Sequence, residues 1–260
     1  MSHPVLFKWK HFQPEIILLN VRWYCCYALS YRDLEEMMAE RGLSVDHSTI
    51  NRWVLQYGSE LDKRCRPHLR PINDSWKMDE TYVKVKGEWK YLYRAVDSSG
   101  QTLDFMLSDK RDAKASKRFS KKVLKARHTS IPRVINVDKN AAYPAATDDL
   151  KAEELLSEET ELRRVKYLNN MIEQDHRRIK RLVKPGLGFG SFHTARRTLK
   201  GYEAMAMIRK GQIQNVDRDD VIGQISFIHQ VATLLSSKTR GTDDVIGQIS
   251  FIHQVFGIAA

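Results

Sequence analysis

Hydrophobic residues in the first quarter of the chain recur at helical spacing. Residues 30–42, "SYRDLEEMMAERG", place Leu34, Met37 and Met38 on one face of a predicted helix. The helix opens at the Ser-Tyr pair that begins this stretch, and Gly42 follows its end. The pattern predicts a helical amino-terminal region.

A second helix follows a short turn, "LSV", with Asp46 as its predicted N-cap. Its apolar positions are Ile50, Trp53, Val54 and Tyr57. Two helices joined by a glycine-containing turn are typical of a helix-turn-helix, and a plain helical hairpin is the alternative. In the DNA-binding interpretation, Ser48, Asn51 and Arg52 project outward to meet base edges or phosphates.

After a proline-punctuated linker at residues 64–74, the periodicity changes from helical to alternating. The runs "WKMDETYVKV", "WKYLYRAVD" and "TLDFMLS", separated by turns at "KGEW" and "SSGQ", predict three antiparallel strands. A basic helix, a short buried strand "PRVINVD", an extended segment at residues 163–170 and the helix "MIEQDHRRIKRLV" follow. This order predicts an α/β layer architecture.

The first predicted strand carries an acid on its more apolar face. Side chains alternate along a strand, so one row is Asp79, Thr81, Val83 and Val85, and the other is Met78, Glu80, Tyr82 and Lys84. An unpaired carboxylate is costly to bury. Asp79 therefore needs a partner that stabilises its charge.

Asp138 and Glu173 are the candidates to lie beside Asp79. In a sheet of this order the first and fourth strands can be neighbours, which would bring Asp79 next to Asp138. Two carboxylates that close repel unless they share a proton or bind cations. Oxygen ligands with open positions suit Mg²⁺ or Mn²⁺, and two such ions can hold the attacking and leaving oxygens of a phosphoryl displacement.

Glu173 belongs to a helix with two distinct stripes. Its predicted polar stripe is Glu173, His176, Arg177 and Lys180, and its apolar stripe, Ile172, Ile179, Leu182 and Val183, is predicted to pack on the sheet. Residues 176–200 contain eight Lys and Arg residues and no acid. An acid at the rim of such a basic stretch fits a phosphodiester substrate.

The composition agrees with a nucleic-acid partner. The chain has 260 residues and a net charge of +11, and the excess lies mainly in residues 71–212. Such a charge favours a polyanion, because each neutralised phosphate releases a condensed counterion. Three cysteines form neither a CxxC pair nor a disulfide framework, and no signal peptide or membrane span is recognisable. We expect a cytoplasmic, nucleoid-associated protein without membrane contact.

Three blocks carry a family resemblance: "WKMDETYVKVKGEWKYLYRAVD", "VINVDKNAAYPAA" and "YLNNMIEQDHRRIKR". They resemble the catalytic blocks of the DDE transposases of bacterial insertion sequences, most closely the sixth insertion-sequence family, whose ribonuclease-H-like core is related to retroviral integrases. Thirty-four residues separate Asp138 from Glu173, and Lys180 follows seven residues after the glutamate, as in that family.

The resemblance implies roles for individual residues. Asp79, Asp138 and Glu173 would bind Mg²⁺ or Mn²⁺, with two ions expected, and Lys180 would act with them near the scissile phosphate. The surrounding DNA-binding residues would be His176, Arg177, Arg178 and Arg181. The amino-terminal helix-turn-helix would recognise the terminal inverted repeats of the element.

These observations together predict a DNA transposase that cleaves 3′ ends and transfers them into target DNA. The expected fold is a ribonuclease-H-like mixed sheet with flanking helices, preceded by an all-α helix-turn-helix domain. The expected domains are residues 1–66, 67–212 and 213–260. Joining two DNA ends requires at least a dimer. The alternatives are a ribonuclease-H-like nuclease without strand transfer, and a non-catalytic helix-turn-helix DNA-binding protein such as a defective transposase.

The carboxy-terminal tail contains a duplication. "DDVIGQISFIHQV" occurs at residues 219–231 and again, letter for letter, at residues 243–255. Two identical copies are too few and too alike for a structural solenoid, so a local sequence duplication is the favoured interpretation. We expect only one copy to have a packing site, which puts the folding of the tail and the activity in question.

Overall fold

The computed structural model describes residues 11–138, 140–165 and 170–233. Its helices are α1 (Pro14–Cys26), α2 (Tyr31–Ala39), α3 (His47–Cys65), α4 (Ala113–Leu124), α5 (Ala142–Ala152), α6 (Asn170–Val183), α7 (Phe192–Arg209) and α8 (Val221–Thr233). Its strands are β1 (Ser75–Val85), β2 (Glu88–Asp97), β3 (Thr102–Ser108), β4 (Val134–Val137) and β5 (Glu161–Arg164). No helix in these ranges is long and apolar enough to cross a membrane.

The five strands form one mixed sheet in the order β3-β2-β1-β4-β5. Strands β1 to β3 are an antiparallel meander, whereas β4 and β5 run parallel to β1. The β1–β2 turn is made by Lys86 and Gly87, which both have positive φ, as a type I′ turn requires. The predicted α/β class, a ribonuclease-H-like mixed sheet with flanking helices, is confirmed.

The two faces of the sheet bury different cores. Val83 and Val85 of β1 belong to a large core that also contains residues of α1, α3, α6, α7 and α8. Trp76 and Met78 belong to a second core, formed with α4 and α5. The predicted alternation of β1 is therefore correct, and Asp79 lies on the face that α6 covers.

The amino-terminal region is helical, as predicted. Ser30 caps α2 through a reciprocal capping box with Asp33, and the Asp46 side chain caps α3 by accepting from the Ser48 amide. The apolar positions predicted for α3 are all buried. The connection between these helices is longer than the predicted three-residue turn, because α2 ends at Ala39 and α3 begins only at His47.

The first copy of the duplicated segment forms most of α8, which packs on α3. The second copy, residues 243–255, lies outside the described residues. Cys25, Cys26 and Cys65 are free and buried, so they contribute to the core as small hydrophobic side chains. The division into residues 1–66, 67–212 and 213–260 stays a prediction.

Helices α3 and α7 approach closely where two glycines meet. A Cβ atom added to Gly201 would lie 2.8 Å from the Cys25 sulfur and 3.2 Å from the Gly58 Cα. Neither glycine needs a positive φ, so the constraint is space and not backbone conformation. This contact helps to attach the amino-terminal helices to the rest of the chain.

We expect Gly201→Ala to lower the free energy of unfolding by about 1–3 kcal/mol, because the added methyl group overpacks the α1–α3–α7 contact. Urea denaturation followed by circular dichroism measures the change. Gly190→Ala is the control, since a Cβ there meets no atom within 4 Å. Equal stability of the two variants would contradict the packing argument.

Candidate active site

The parallel pairing of β1 and β4 brings two aspartates to one point of the sheet. The last paired residues are Met78 and Val137, so Asp79 and Asp138 come next on adjacent strands. Both side chains are partly buried. The prediction that the first and fourth strands are neighbours, with these two residues side by side, is confirmed.

Asp79 lies in an unfavourable environment for a charge. Burial, together with the nearby Glu80 and Asp138 carboxylates, raises the pKa of its carboxyl from the ordinary value of 3.8 to about 7. The Glu80 amide, which donates to Asp79 Oδ1 at 2.9 Å, opposes this only partly. Within the described residues, no Lys or Arg forms an ion pair with Asp79 or Asp138. This arrangement is the one expected of carboxylates that bind a cation.

The segment after β4 is fixed by a carboxylate that the sequence did not single out. Asp138 Oδ1 accepts a hydrogen bond from the Asn140 amide at 2.5 Å, and Asn140 Nδ2 donates to Glu80 Oε1 at 2.9 Å. The Tyr143 hydroxyl donates to Glu80 Oε2 at 2.6 Å, and Arg111 pairs with the same carboxylate. Glu80 therefore links β1 to the segment that carries Asp138. Its only signal in the sequence was its adjacency to Asp79.

Glu173 lies in the first turn of α6 with its side chain exposed. The helix packs on β1 and β2. Three residues of its predicted apolar stripe, Ile172, Ile179 and Leu182, are buried, whereas the fourth, Val183, is half-buried. Glu173 thus lies at the rim between the sheet and solvent. The ligand atoms of Asp79, Asp138 and Glu173 are not all within 4.8 Å of one another.

A tighter group of possible ligands lies elsewhere in the described chain. Glu35 of α2, Asp46 and His47 at the start of α3 have ligand atoms within 4.8 Å of one another. Asp46 there caps α3, and His47 Nδ1 is 3.1 Å from Glu35 Oε2. These contacts account for the group as local helix-end interactions between exposed side chains.

His176 departs from the predicted exposed polar stripe, because it is buried. Its Nδ1 is 3.8 Å from Asp79 Oδ2, and among the described residues its Nε2 has no hydrogen-bond partner. Burial, together with the charges of Arg94 and Lys180, lowers its pKa to about 3. The imidazole is therefore neutral at neutral pH and does not compensate the Asp79 charge. The sheet covers a wider face of α6 than the two-stripe pattern indicated.

The basic residues of α6 divide into two groups. Arg177, Lys180 and Arg181 are exposed, as a DNA-contacting role requires. Arg178 is mostly enclosed, and its Nη2 donates to the Tyr202 carbonyl of α7 at 3.0 Å. The positions of His176 and Arg178 suit packing and orientation of α6, and the contact of either residue with DNA stays a prediction.

A buried arginine attaches α6 to the rest of the fold. Arg94 of β2, the cross-strand partner of Asp79, is fully buried. Its Nη2 donates to Glu203 of α7 at 2.8 Å and to Asp175 of α6 at 3.3 Å. Lys210 Nζ also donates to Asp175, at 2.5 Å. Although burial opposes it, these two cations hold the pKa of Asp175 below its ordinary value. Asp175 is two residues from Glu173, so this network sets the position of the rim carboxylate.

The three residues predicted to contact DNA from α3 lie near its amino terminus. Ser48 and Arg52 are exposed, and Asn51 is half-buried. The Ser48 hydroxyl donates to Asp46, and Arg52 Nη2 donates to Thr49 Oγ1 at 2.8 Å. Their contact with DNA stays a prediction.

Comparison with known proteins places this site in a family. Residues 73–212 match the family model described as a DDE domain, and this range contains Asp79, Asp138 and Glu173. The chain belongs to the DDE transposases of insertion sequences. It is similar to the transposase for the insertion sequence-like element IS431mec of Staphylococcus aureus strain Mu50, with 35% identity over 89% of this chain and 99% of that protein. The transposase of element IS257 in transposon Tn4003, from Staphylococcus aureus, matches with the same identity and coverage.

Two solved structures are similar to this transposase at low identity. The HTLV-2 integrase catalytic core domain in complex with magnesium has 15% identity and a TM-score of 0.41, and covers 58% of this chain and 97% of that one. The Mos1 strand transfer complex has 10% identity and a TM-score of 0.35, and covers 89% of this chain and 82% of that one. At such TM-scores, membership of the family depends on the sequence matches.

We expect Glu203→Gln to lower the free energy of unfolding of the transposase by about 3–5 kcal/mol, because it removes one partner of the buried Arg94 guanidinium. Thermal and urea denaturation measure the loss. Glu161→Gln, which breaks the exposed pair with Arg163, is the matched control and should leave stability unchanged. Similar effects of the two substitutions would contradict the structural role of the network.

The raised pKa of Asp79 predicts a pH dependence of stability in the metal-free protein. The unfolded chain ionises near pH 3.8 and the folded one near pH 7, so the contribution of Asp79 is greatest below pH 4 and falls as the pH rises to 7. The loss amounts to at most about 4 kcal/mol and is constant above that range. Denaturation in chelator at a series of pH values should show this loss for the wild type but not for Asp79→Asn.

Asp148→Asn is the control for this experiment, because Asp148 is an exposed aspartate of α5 that forms no ion pair among the described residues. Its stability profile should run parallel to that of the wild type. Parallel profiles for the wild type and Asp79→Asn would show that the Asp79 carboxyl is solvated in the folded chain, against the structure.

Proposed function

We propose that this polynucleotidyl transferase binds the terminal inverted repeats of an insertion sequence, cleaves the 3′ ends of the element and joins them to target DNA. The observation that carries the proposal is the placement of Asp79 and Asp138 side by side within the matched DDE domain. Its catalytic residues would be these two aspartates, Glu173 and Lys180.

The residues at the site fit divalent cations. Asp79 and Asp138 offer carboxylate oxygens, which are the ligands that Mg²⁺ and Mn²⁺ prefer. Burial and the neighbouring Glu80 and Asp138 carboxylates raise the pKa of Asp79, and no described Lys or Arg forms an ion pair with it. Glu173 would be the third ligand, from the rim. When bound, two such ions would supply charge stabilisation for the attacking and leaving oxygens of an in-line phosphoryl displacement.

The protein's own groups would hold and orient the DNA. Lys180 lies two turns after Glu173 on the same helix, where its ammonium can attract a phosphate near the cleaved bond. Arg177 and Arg181 flank it on the exposed side of α6. His176 and Arg178 would instead keep α6 in position over β1 and α7. In this arrangement base-specific contacts belong to α3, through Ser48, Asn51 and Arg52.

Strand transfer in vitro tests the proposal. The substrate is a labelled duplex that carries one end of the element, incubated with supercoiled target DNA and Mg²⁺. We expect the wild type to join the labelled strand to the target, and Asp138→Asn or Glu173→Gln to reduce joining by a factor on the order of 10²–10³. The exposed Asp148→Asn is the control and should join at the wild-type rate.

The other outcomes separate the alternatives. Cleavage of the duplex without joining would indicate a ribonuclease-H-like nuclease. Specific binding that is insensitive to Glu173→Gln, with neither cleavage nor joining, would indicate a non-catalytic DNA-binding protein. In that case the strand-transfer assay would be repeated with a chain that lacks the second copy, residues 243–255. Joining by this shorter chain would show that the duplication had inactivated the enzyme. Since joining two ends requires two active sites, the active form would be at least a dimer.

A further inference from the structure

A groove of about 860 Å³ lies beside the carboxyl end of α6, away from the aspartates. It is lined by β1, β2, the end of α6 and the segment after it. The lining residues are Tyr82, Val83, Lys84, Trp89, Lys180, Val183, Lys184, Leu187 and Gly188. Only Lys180 among them has a role in the proposed reaction.

Three large apolar side chains of this groove are open to solvent. Trp89 is 64% exposed, Leu187 is 86% exposed and Tyr82 is 40% exposed. Single exposed apolar residues are ordinary, but several that line one groove indicate a binding surface. Two of the three are aromatic and can stack on a flat ligand.

The charge of the groove is entirely positive. Lys84, Lys180 and Lys184 line it, and no acid does. In the described part of the chain, none of these lysines forms an ion pair. Lys84 Nζ instead lies 5.9 Å from the centre of the Trp89 ring. A ligand with a flat apolar part and a negative part would satisfy both features.

The groove is held open by backbone pairing. The Phe189 amide donates to the Lys84 carbonyl at 2.9 Å, and the Lys86 amide donates to the Phe189 carbonyl at 2.8 Å. A Cβ atom on Gly188 would lie 2.7 Å from the Lys84 carbonyl, so a glycine is required for this approach. The segment that presents Leu187 is therefore fixed to the end of β1.

The groove lies at a defined distance from the aspartates. Tyr82 follows Asp79 by three residues of strand, which is about 10 Å along β1, and its side chain belongs to the opposite row of the strand. Lys180 follows Glu173 by seven residues of helix, which is also about 10 Å. Since a stacked DNA strand advances about 3.4 Å per nucleotide, this distance corresponds to about three nucleotides.

We infer that this groove binds an unpaired nucleobase of the DNA end, about three nucleotides from the cleaved phosphate. The inference rests on the proposed function and adds a binding site for single-stranded DNA at the end of the element. Trp89 and Tyr82 stack on the base, and Lys84 and Lys184 contact the phosphates beside it. Stacking on aromatic rings with a lysine-lined path is the usual way in which proteins bind single-stranded DNA.

A second copy of the chain is the competing occupant, and the charges disfavour it. In a two-fold interface the same patch meets itself, which would bring the lysines of both copies together without an acid. A DNA strand brings a negative charge at each nucleotide. The charge complementarity therefore selects DNA.

Forked duplexes of the element's end, with 2-aminopurine at one of the first six positions of the unpaired strand, test the inference without added metal. In the wild type, one position near the third nucleotide should show quenched fluorescence. Trp89→Ala should abolish this quenching and weaken binding of the fork about tenfold, whereas Trp89→Phe should retain most of both. Lys184→Gln should reduce the slope of the logarithm of the binding constant against the logarithm of the salt concentration by about 1, the value expected for one lost phosphate contact.

Tyr27→Ala is the matched control, because Tyr27 is an exposed aromatic residue outside the groove. It should bind and quench like the wild type. The inference is overturned if no position responds to Trp89→Ala, or if that variant dissociates a dimer in sedimentation while fork binding is unchanged. Because the measurement needs no catalysis, a loss of binding in Trp89→Ala would support the groove even if the wild type failed to join DNA.

Discussion

The buried Arg94 guanidinium is the interaction on which the candidate active site depends. It is the cross-strand neighbour of Asp79, and it binds acids from α6 and α7. A single cation therefore links the sheet, the helix that carries Glu173 and the helix that packs on the amino-terminal region. Because Arg94 and Glu203 are fully buried, removing either one leaves the other as an uncompensated charge. The position of Glu173 at the rim of the site therefore depends on the same interactions that stabilise the whole fold.

The buried carboxylate of Glu80 supports the site from the face of the sheet opposite to Asp79. Glu80 points away from Asp79 and binds Asn140 and Tyr143, which fix the segment after Asp138. Two adjacent residues of β1 thus have different roles. The carboxylate of Asp79 faces α6, and the carboxylate of Glu80 fixes the segment that carries Asp138. The alternation of side chains along a strand makes this division possible.

The sequence was sufficient for the antiparallel meander of β1 to β3 and for the face of Asp79, because alternation and turn residues are local signals. For the meeting of Asp79 with Asp138 it gave only the possibility that the first and fourth strands are neighbours, which the pairing of β1 with β4 confirms. It did not reveal Arg94, since a buried arginine is recognised only by acids that are 81 and 109 residues away along the chain. The burial of His176 was missed for a related reason. Helical spacing defines the direction of a side chain, but the width of the surface that covers it depends on the tertiary structure.

The charges of the site constrain the order in which the aspartates are neutralised and a DNA phosphate approaches them. The proposed DNA substrate is attracted by the basic surface of α6, but a phosphate that reached Asp79 and Asp138 would meet two carboxylates. In the described chain no basic residue pairs with them, and His176, which is closest, is neutral. The phosphate can approach only if these acids are neutralised first or at the same moment. The proposed binding of DNA near the aspartates therefore requires that a proton or a cation neutralise these carboxylates, whereas the proposed binding at the lysine-lined groove does not.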